Sequence, residues 1–162
     1  KIPARKDTLI HCEKFESKVK EEKRRGFSCL TRYLDFAQEM VETYYSLNTA
    51  ITLQELSGYK IIGYGAAAKT STIINSCPSF FGGLEYVIDD APMKVGRYIP
   101  GTAIPIKPTS FITTEEELLA IIIFAHNFKH EIVEKLRVLR GPGMRDVIIN
   151  MVPKVLVESL HE

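Results

Sequence analysis

The chain has 162 residues, 45% of them hydrophobic and 25% charged, which suits one globular domain with an ordinary core and excludes a disordered chain. Its 21 Lys and Arg balance 20 Asp and Glu to a net charge of +1, so no charge excess points to nucleic acid or a membrane surface as partner. The longest apolar run, near Leu118 to Ala125, is too short to span a bilayer.

HCEKFESKVKEEKRRG reads as a helix, with Ile10, Phe15 and Val19 at helical spacing and Gly26 as its stop after a basic last turn. A second helix starts near Ser28, capped by Ser28 or Thr31. Its apolar stripe runs through Leu30, Tyr33, Leu34, Ala37, Met40, Val41 and Tyr44, and after a break near Asn48 it continues to a C-cap at Gly58. Beyond Gly58 the texture changes. YKIIGYG is a short apolar strand, AAAKTSTIINSC a helix and LEYVIDD a second strand that ends on acid. PMKVGRYIPGT is a loop, and AIPIKP is an extended piece whose prolines suit a sheet edge. TTEEELLA carries a capping-box pattern and predicts a short helix. AIIIFAH is a buried strand, NFKHEIVEKLRVLRG a helix and GMRDVIINMVP a last strand.

Continuous apolar strands alternating with helices predict an α/β fold. The expected form is a Rossmann-like parallel sheet with flanking helices, preceded by N-terminal helices. We divide it as an N-terminal helical segment, 1–57, packing on the sheet, and a Rossmann-like domain, 58–162. Cys12, Cys29 and Cys77 are odd in number, widely spaced and without a CxxC pair, which predicts free thiols in a reducing cytoplasm. The start has no apolar signal segment, so a cytoplasmic location is expected. The chain opens on Lys1 rather than methionine and reads as a piece of a longer protein.

In an open parallel sheet, ligands bind beyond the carboxyl ends of the strands. The first strand ends in Gly63-Tyr64-Gly65-Ala66-Ala67-Ala68, a G-x-G-x-x-A variant of the dinucleotide turn. Gly63 would permit the turn, Gly65 a close phosphate, and Ala68 close helix packing. The helix start would add free N–H groups, with Lys69 and Thr70 to Thr72 as further donors. Asp89-Asp90 follows about 24 residues beyond Gly65, near where such folds place a ribose-binding acid. Arg97 and Tyr98 sit in a long loop, where they would clamp a phosphate or stack on a ring. His126 and Asn127 follow the end of a buried strand; for Asn127 a helix N-cap is the competing role. His126 and His130 lack a third ligand, so no metal site is expected. Ser71 lies in no GxSxG elbow.

GYGAAAK, then Thr72 and Asn75, then YVIDDAPMKVGRYIPGTAIPI, then IIIFAHNFKHEI, together resemble the C-terminal domain of S-adenosylmethionine-dependent C-methyltransferases, including those acting on nucleotide-linked sugars. The resemblance covers essentially the whole chain. It departs from the family pattern at Thr70, Ala91, Val95, Ala103 and His126. It implies that S-adenosylmethionine and the catalytic residues belong to an upstream methyltransferase domain of the same protein, so that this chain supplies no catalytic residue and does not itself bind the methyl donor. It also implies a nucleotide-linked substrate held by Gly63, Tyr64, Gly65, Ala66, Lys69, Thr72, Asn75, Asp89, Arg97, Tyr98, His126 and Asn127. The glycine turn and Asp89 taken alone leave an NAD(P)-dependent oxidoreductase domain open, and a non-catalytic interaction domain is the third alternative.

Overall fold

The computed structural model describes residues 6–161. The chain forms two compact units, Lys1–Glu42 and Thr43–Glu162. In the first, helix α1 (Lys6–Arg24) is followed by a turn into the start of α2 (Leu30–Leu56). Glu21 takes Arg24 and Arg25 at 2.8 and 2.7 Å, one turn apart on α1. Past the turn, the Tyr33 hydroxyl donates to the Phe27 carbonyl at 2.7 Å.

The second unit holds the sheet. Strands β1 (Lys60–Tyr64), β2 (Leu84–Asp89), β3 (Ile106–Pro108), β4 (Leu119–Ile123), β5 (Val147–Asn150) and β6 (Leu156–Ser159) lie in the order β3-β2-β1-β4-β5-β6. The first five run parallel, with β1 between β2 and β4, and β6 runs antiparallel to β5. Helices α3 (Ala68–Ser76) and α4 (Lys129–Arg140) complete it. Alternation along the strands sends Ile61, Val87 and Ile122 into a core with Leu47 and Ile51 of α2 and Ile74 of α3. Ile62, Ile88 and Ile121 enter the opposite core with Ile132 and Leu136 of α4. The sheet is therefore covered on both faces, as the continuous apolar strands predict.

Four expectations change. Helix α2 is unbroken at Asn48, because Leu47, Ala50 and Ile51 are buried on one face there and hold it to the sheet. It ends as expected at Gly58, whose φ of +83° lets Gly58 and Tyr59 N–H reach back to the Glu55 and Gln54 carbonyls. The helix expected over TTEEELLA is absent: a 3-10 turn spans Thr109–Thr114, and extended chain then leads into β4. The groups a helix would need are used elsewhere. Arg140 takes the Glu115 and Glu117 carbonyls at 2.5 and 2.7 Å, and Lys60 takes the Glu115 carboxylate at 3.1 Å. The expected last strand is β5, but it is not the last: a further strand beyond the forecast segment, β6, returns antiparallel beside it. Finally, Asn127 is not the N-cap of α4; it lies in a 3-10 turn, His126–Phe128, and Phe128 occupies the cap position. Cys29 and Cys77 are free thiols; Cys12 lies outside the residues whose side chains are described. Among the described residues no helix is long and apolar enough to cross a membrane.

Candidate functional site

The site is built where the chain leaves β1. Gly63 is still inside the strand, and its role is packing: a Cβ there would stand 2.6 Å from the Phe124 ring and 3.0 Å from Val87. The turn itself falls on Gly65, with φ of +98°. What comes close to Gly65 is the chain itself, since a Cβ would meet the Ala125 Cβ at 2.8 Å.

The amides that the glycine motif offers to a phosphate already have partners. Gly65 N–H donates to the Ile88 carbonyl at 2.8 Å. Ala66 N–H donates to Asp89 Oδ2 at 2.7 Å, and Ala67 N–H to the Thr70 hydroxyl at 3.2 Å. That hydroxyl donates in turn to the Gly65 carbonyl at 2.5 Å. Asp89 also accepts from Ala91 N–H at 2.8 Å and from Lys94 at 3.0 Å, and it is buried. The acid at the end of β2 therefore stitches three chain segments together around the turn.

Its neighbour Asp90 faces outward and gathers a second cluster. Tyr64 O–H donates to Asp90 Oδ2 at 2.6 Å, while the Thr109 hydroxyl and the Lys135 ammonium share Oδ1. Burial alone would raise the Asp90 carboxyl, but the bonds from Lys135, Thr109 and Tyr64 outweigh it and hold the group down at about 2. Burial, then the Asp90 carboxylate, pushes the Tyr64 phenol up. Because the folded pKa is depressed, the cluster contributes stability above the ordinary carboxylate range and loses it as pH falls toward about 2. In an NMR titration Asp90 is expected to show a midpoint near 2, and Lys135→Met should move it up toward the ordinary 3.8. A midpoint indifferent to that substitution would mean the pair does not hold in solution.

Two clefts open around this cluster. One, of about 260 Å³, is lined by Tyr64, Gly65, Asp89 and Asp90 from the strand ends and by Ala125, Phe128, Glu131, Ile132 and Lys135 from the start of α4. The other, of about 520 Å³, runs from Asp90 and Lys135 past Pro92, Val95, Thr109 and Ser110. Both lie at the carboxyl ends of the strands, where an open parallel sheet binds ligands.

Of the residues singled out in the sequence, Tyr64, Gly65 and Asp89 line the smaller cleft. Ala66 contributes the amide that Asp89 holds. Asn75 donates to the Pro100 carbonyl at 2.9 Å and ties the loop before β3 to α3, while the Thr72 hydroxyl bonds back to the Ala68 carbonyl of its own helix at 3.2 Å. Lys69, Arg97, Tyr98, His126 and Asn127 line neither cleft; all but the half-buried His126 are exposed. Sequence reasoning missed Lys135, Thr109, Phe128 and Glu131. The available signal was helical spacing: Phe128, Glu131 and Lys135 follow one face at steps of three and four. Among the described residues no group of His, Cys, Asp and Glu could hold a metal ion.

The profile of the family described as "C-methyltransferase C-terminal domain" matches residues 4–153. The chain is 23% identical over 137 residues to C-methyltransferase NovU of Streptomyces niveus, an alignment that covers 84% of this chain and 32% of that protein. The chain thus spans about a third of the length of this curated relative.

Proposed function

This chain belongs to the C-methyltransferase C-terminal domain family, and on that premise we propose that it binds and orients the substrate, a nucleotide-linked sugar, for methyl transfer by an upstream domain of the same protein. The observation that carries this is the cleft at the strand ends, where Tyr64, Asp90 and Lys135 form a prearranged polar cluster beside the exposed ring of Phe128. Hydroxyls can bond to the carboxylate, an anionic group to Lys135, and a ring face to Phe128. Holding an acceptor in place supplies rate without chemistry of its own, because binding energy far from the reacting carbon restricts its motion.

In this reading S-adenosylmethionine sits on the upstream domain and the enzyme works in the cytoplasm. In support, the residues here do not suit the methyl donor or a dinucleotide: Asp89 is spent on Ala66, Ala91 and Lys94, and the Gly65, Ala66 and Ala67 amides are bonded within the chain. The wider family of contacts named in the sequence, Lys69, Arg97, Tyr98, His126 and Asn127, is proposed to meet the substrate only with the upstream domain in place. The exposed Leu30, Tyr33, Leu34, Phe36 and Val41 of α2 supply an apolar surface suited to that domain.

Calorimetry on the chain with dTDP, UDP and GDP sugars, NAD(P)H and S-adenosylmethionine tests the proposal. A nucleotide sugar should bind, and Lys135→Met should weaken it roughly tenfold or more, the usual worth of a bond to a charged group. Binding of a nicotinamide cofactor instead would overturn the reading in favour of an oxidoreductase. Sugar binding that Lys135→Met leaves unchanged would remove this cleft from it.

A further inference from the structure

The two outer strands of the sheet are finished differently. Along β3 the preceding loop pairs with the free edge: Gly96 N–H donates to the Ile106 carbonyl at 2.9 Å, and Ile106 N–H to the Arg97 carbonyl at 2.7 Å. At the other end of the sheet, among the described residues, β6 has β5 on one side only. Its Leu156 and Val157 are 50% and 41% exposed. An open edge that carries apolar side chains is a template for another strand.

The bonding pattern shows which groups are on offer. Leu160 N–H donates to the Asp146 carbonyl at 2.9 Å. In an antiparallel pair bonded and non-bonded positions alternate, so in the observed register Glu158 with Ile148 and Leu156 with Asn150 are the bonded pairs. The backbone N–H and C=O of Val157 and Ser159 therefore point away from β5, and the same alternation carried one step before the strand would turn those of Val155 outward too. Two positions further back, Pro153 has no N–H to give, which ends the usable edge.

We propose that this edge pairs antiparallel with the same edge of a second copy of the chain, about a two-fold axis through Leu156. In that register Leu156 meets Leu156, Val155 meets Val157 through their outward backbone groups, and Lys154 meets Glu158. The cross-strand pairs are then matched in polarity and charge, with Glu158, which already holds Lys129 of α4, shared between that lysine and the Lys154 of the second copy. Moving the axis to Val157 sets Leu156 against Glu158, and moving it to Glu158 sets two carboxylates face to face. The self-pairing makes about four backbone bonds over a short strand, so it is a weak, concentration-dependent dimer rather than an obligate one. It is a closed, isologous contact and does not propagate into fibres. It is independent of what the strand-end clefts bind.

Sedimentation velocity over a range of concentrations tests it. The unaltered chain should move from the mass of one chain to that of two as concentration rises. Val157→Pro removes an outward N–H while the bonds of Leu156 and Glu158 to β5 remain, so it should weaken self-association at least about tenfold with little change in melting temperature. Lys154→Glu sets like charges opposite and should weaken it several-fold, and adding Glu158→Lys together with Lys129→Glu, which keeps the pair within the chain, should restore it. If Val157→Pro unfolds the chain, the charge reversals decide alone. A chain that stays at the mass of one copy throughout overturns the proposal. So does a dimer indifferent to Val157→Pro in a folded chain, or one that the combined reversals fail to restore.

Discussion

Replacing Arg140 with leucine is expected to destabilise the chain by about 3–5 kcal/mol, the usual consequence of leaving a buried charge without its partner. The Arg140 and Asp146 side chains are 2% and 0% exposed. Arg140 Nε and Nη2 meet the two Asp146 oxygens at 2.5 and 3.2 Å. The guanidinium also takes the Ile112 carbonyl at 2.8 Å, besides those of Glu115 and Glu117, and so fixes the chain that enters β4. Asp146 accepts Leu119 N–H at 2.8 Å as well. The pair thus joins the end of α4, the start of β4 and the approach to β5. At roughly 2–4 °C per kcal/mol for a chain of this size, the melting temperature should fall by about 10 °C. Arg140→Leu combined with Asp146→Leu should cost clearly less than the two losses added, because the stranded carboxylate is gone. A single substitution that costs under about 1 kcal/mol would mean that water reaches the pair.

The second large effect is at Gly65. Alanine there must adopt a φ near +98° and bring its Cβ to 2.8 Å from that of Ala125 and 3.3 Å from its amide nitrogen. The conformation costs of order 1–2 kcal/mol and the overlap about as much again, for a total near 3 kcal/mol. Chemical denaturation should show that loss, and Ala125→Gly in the same chain should recover the part due to overlap but not the part due to φ. Full recovery would mean that backbone conformation is no burden there. No recovery would mean that the close approach to Ala125 is not what requires glycine. The same strain would shift Tyr64 and Ala66, which line or border the cleft.

Much of the fold was legible because it rests on local patterns. The apolar runs of β1, β2 and β4 are buried on both faces, which is why they carry no alternation. Gly58 stops α2 for a reason internal to the helix end. The misreadings fall where distant groups decide. TTEEELLA has good helical chemistry, but Arg140 and Lys60 claim its carbonyls and Glu115. Strand β6 is mostly exposed and has little hydrophobic signal of its own. At the site, the glycine spacing marked the right turn, yet it could not tell that Asp89 and Thr70 would bond to its amides. Lys135 was hidden because a lysine on a helix surface looks the same in sequence whether it faces solvent or an Asp90 brought up by another strand.

The burial of β4 has a consequence for the chain before it folds. Leu119–Ile123 is a wholly apolar, strongly β-forming run, and it docks only once β1, far earlier in the chain, is in place beside it. Until then it belongs to the class of segments that stack between molecules into cross-β aggregates. One residue before it, across Leu118, stand Glu115, Glu116 and Glu117. Two unfolded copies brought together in register through this run would align those carboxylates against one another. The acidic triplet that misled the helix forecast has the position and charge of a gatekeeper for this run, and in the folded chain Lys60 pairs with two of its carboxylates.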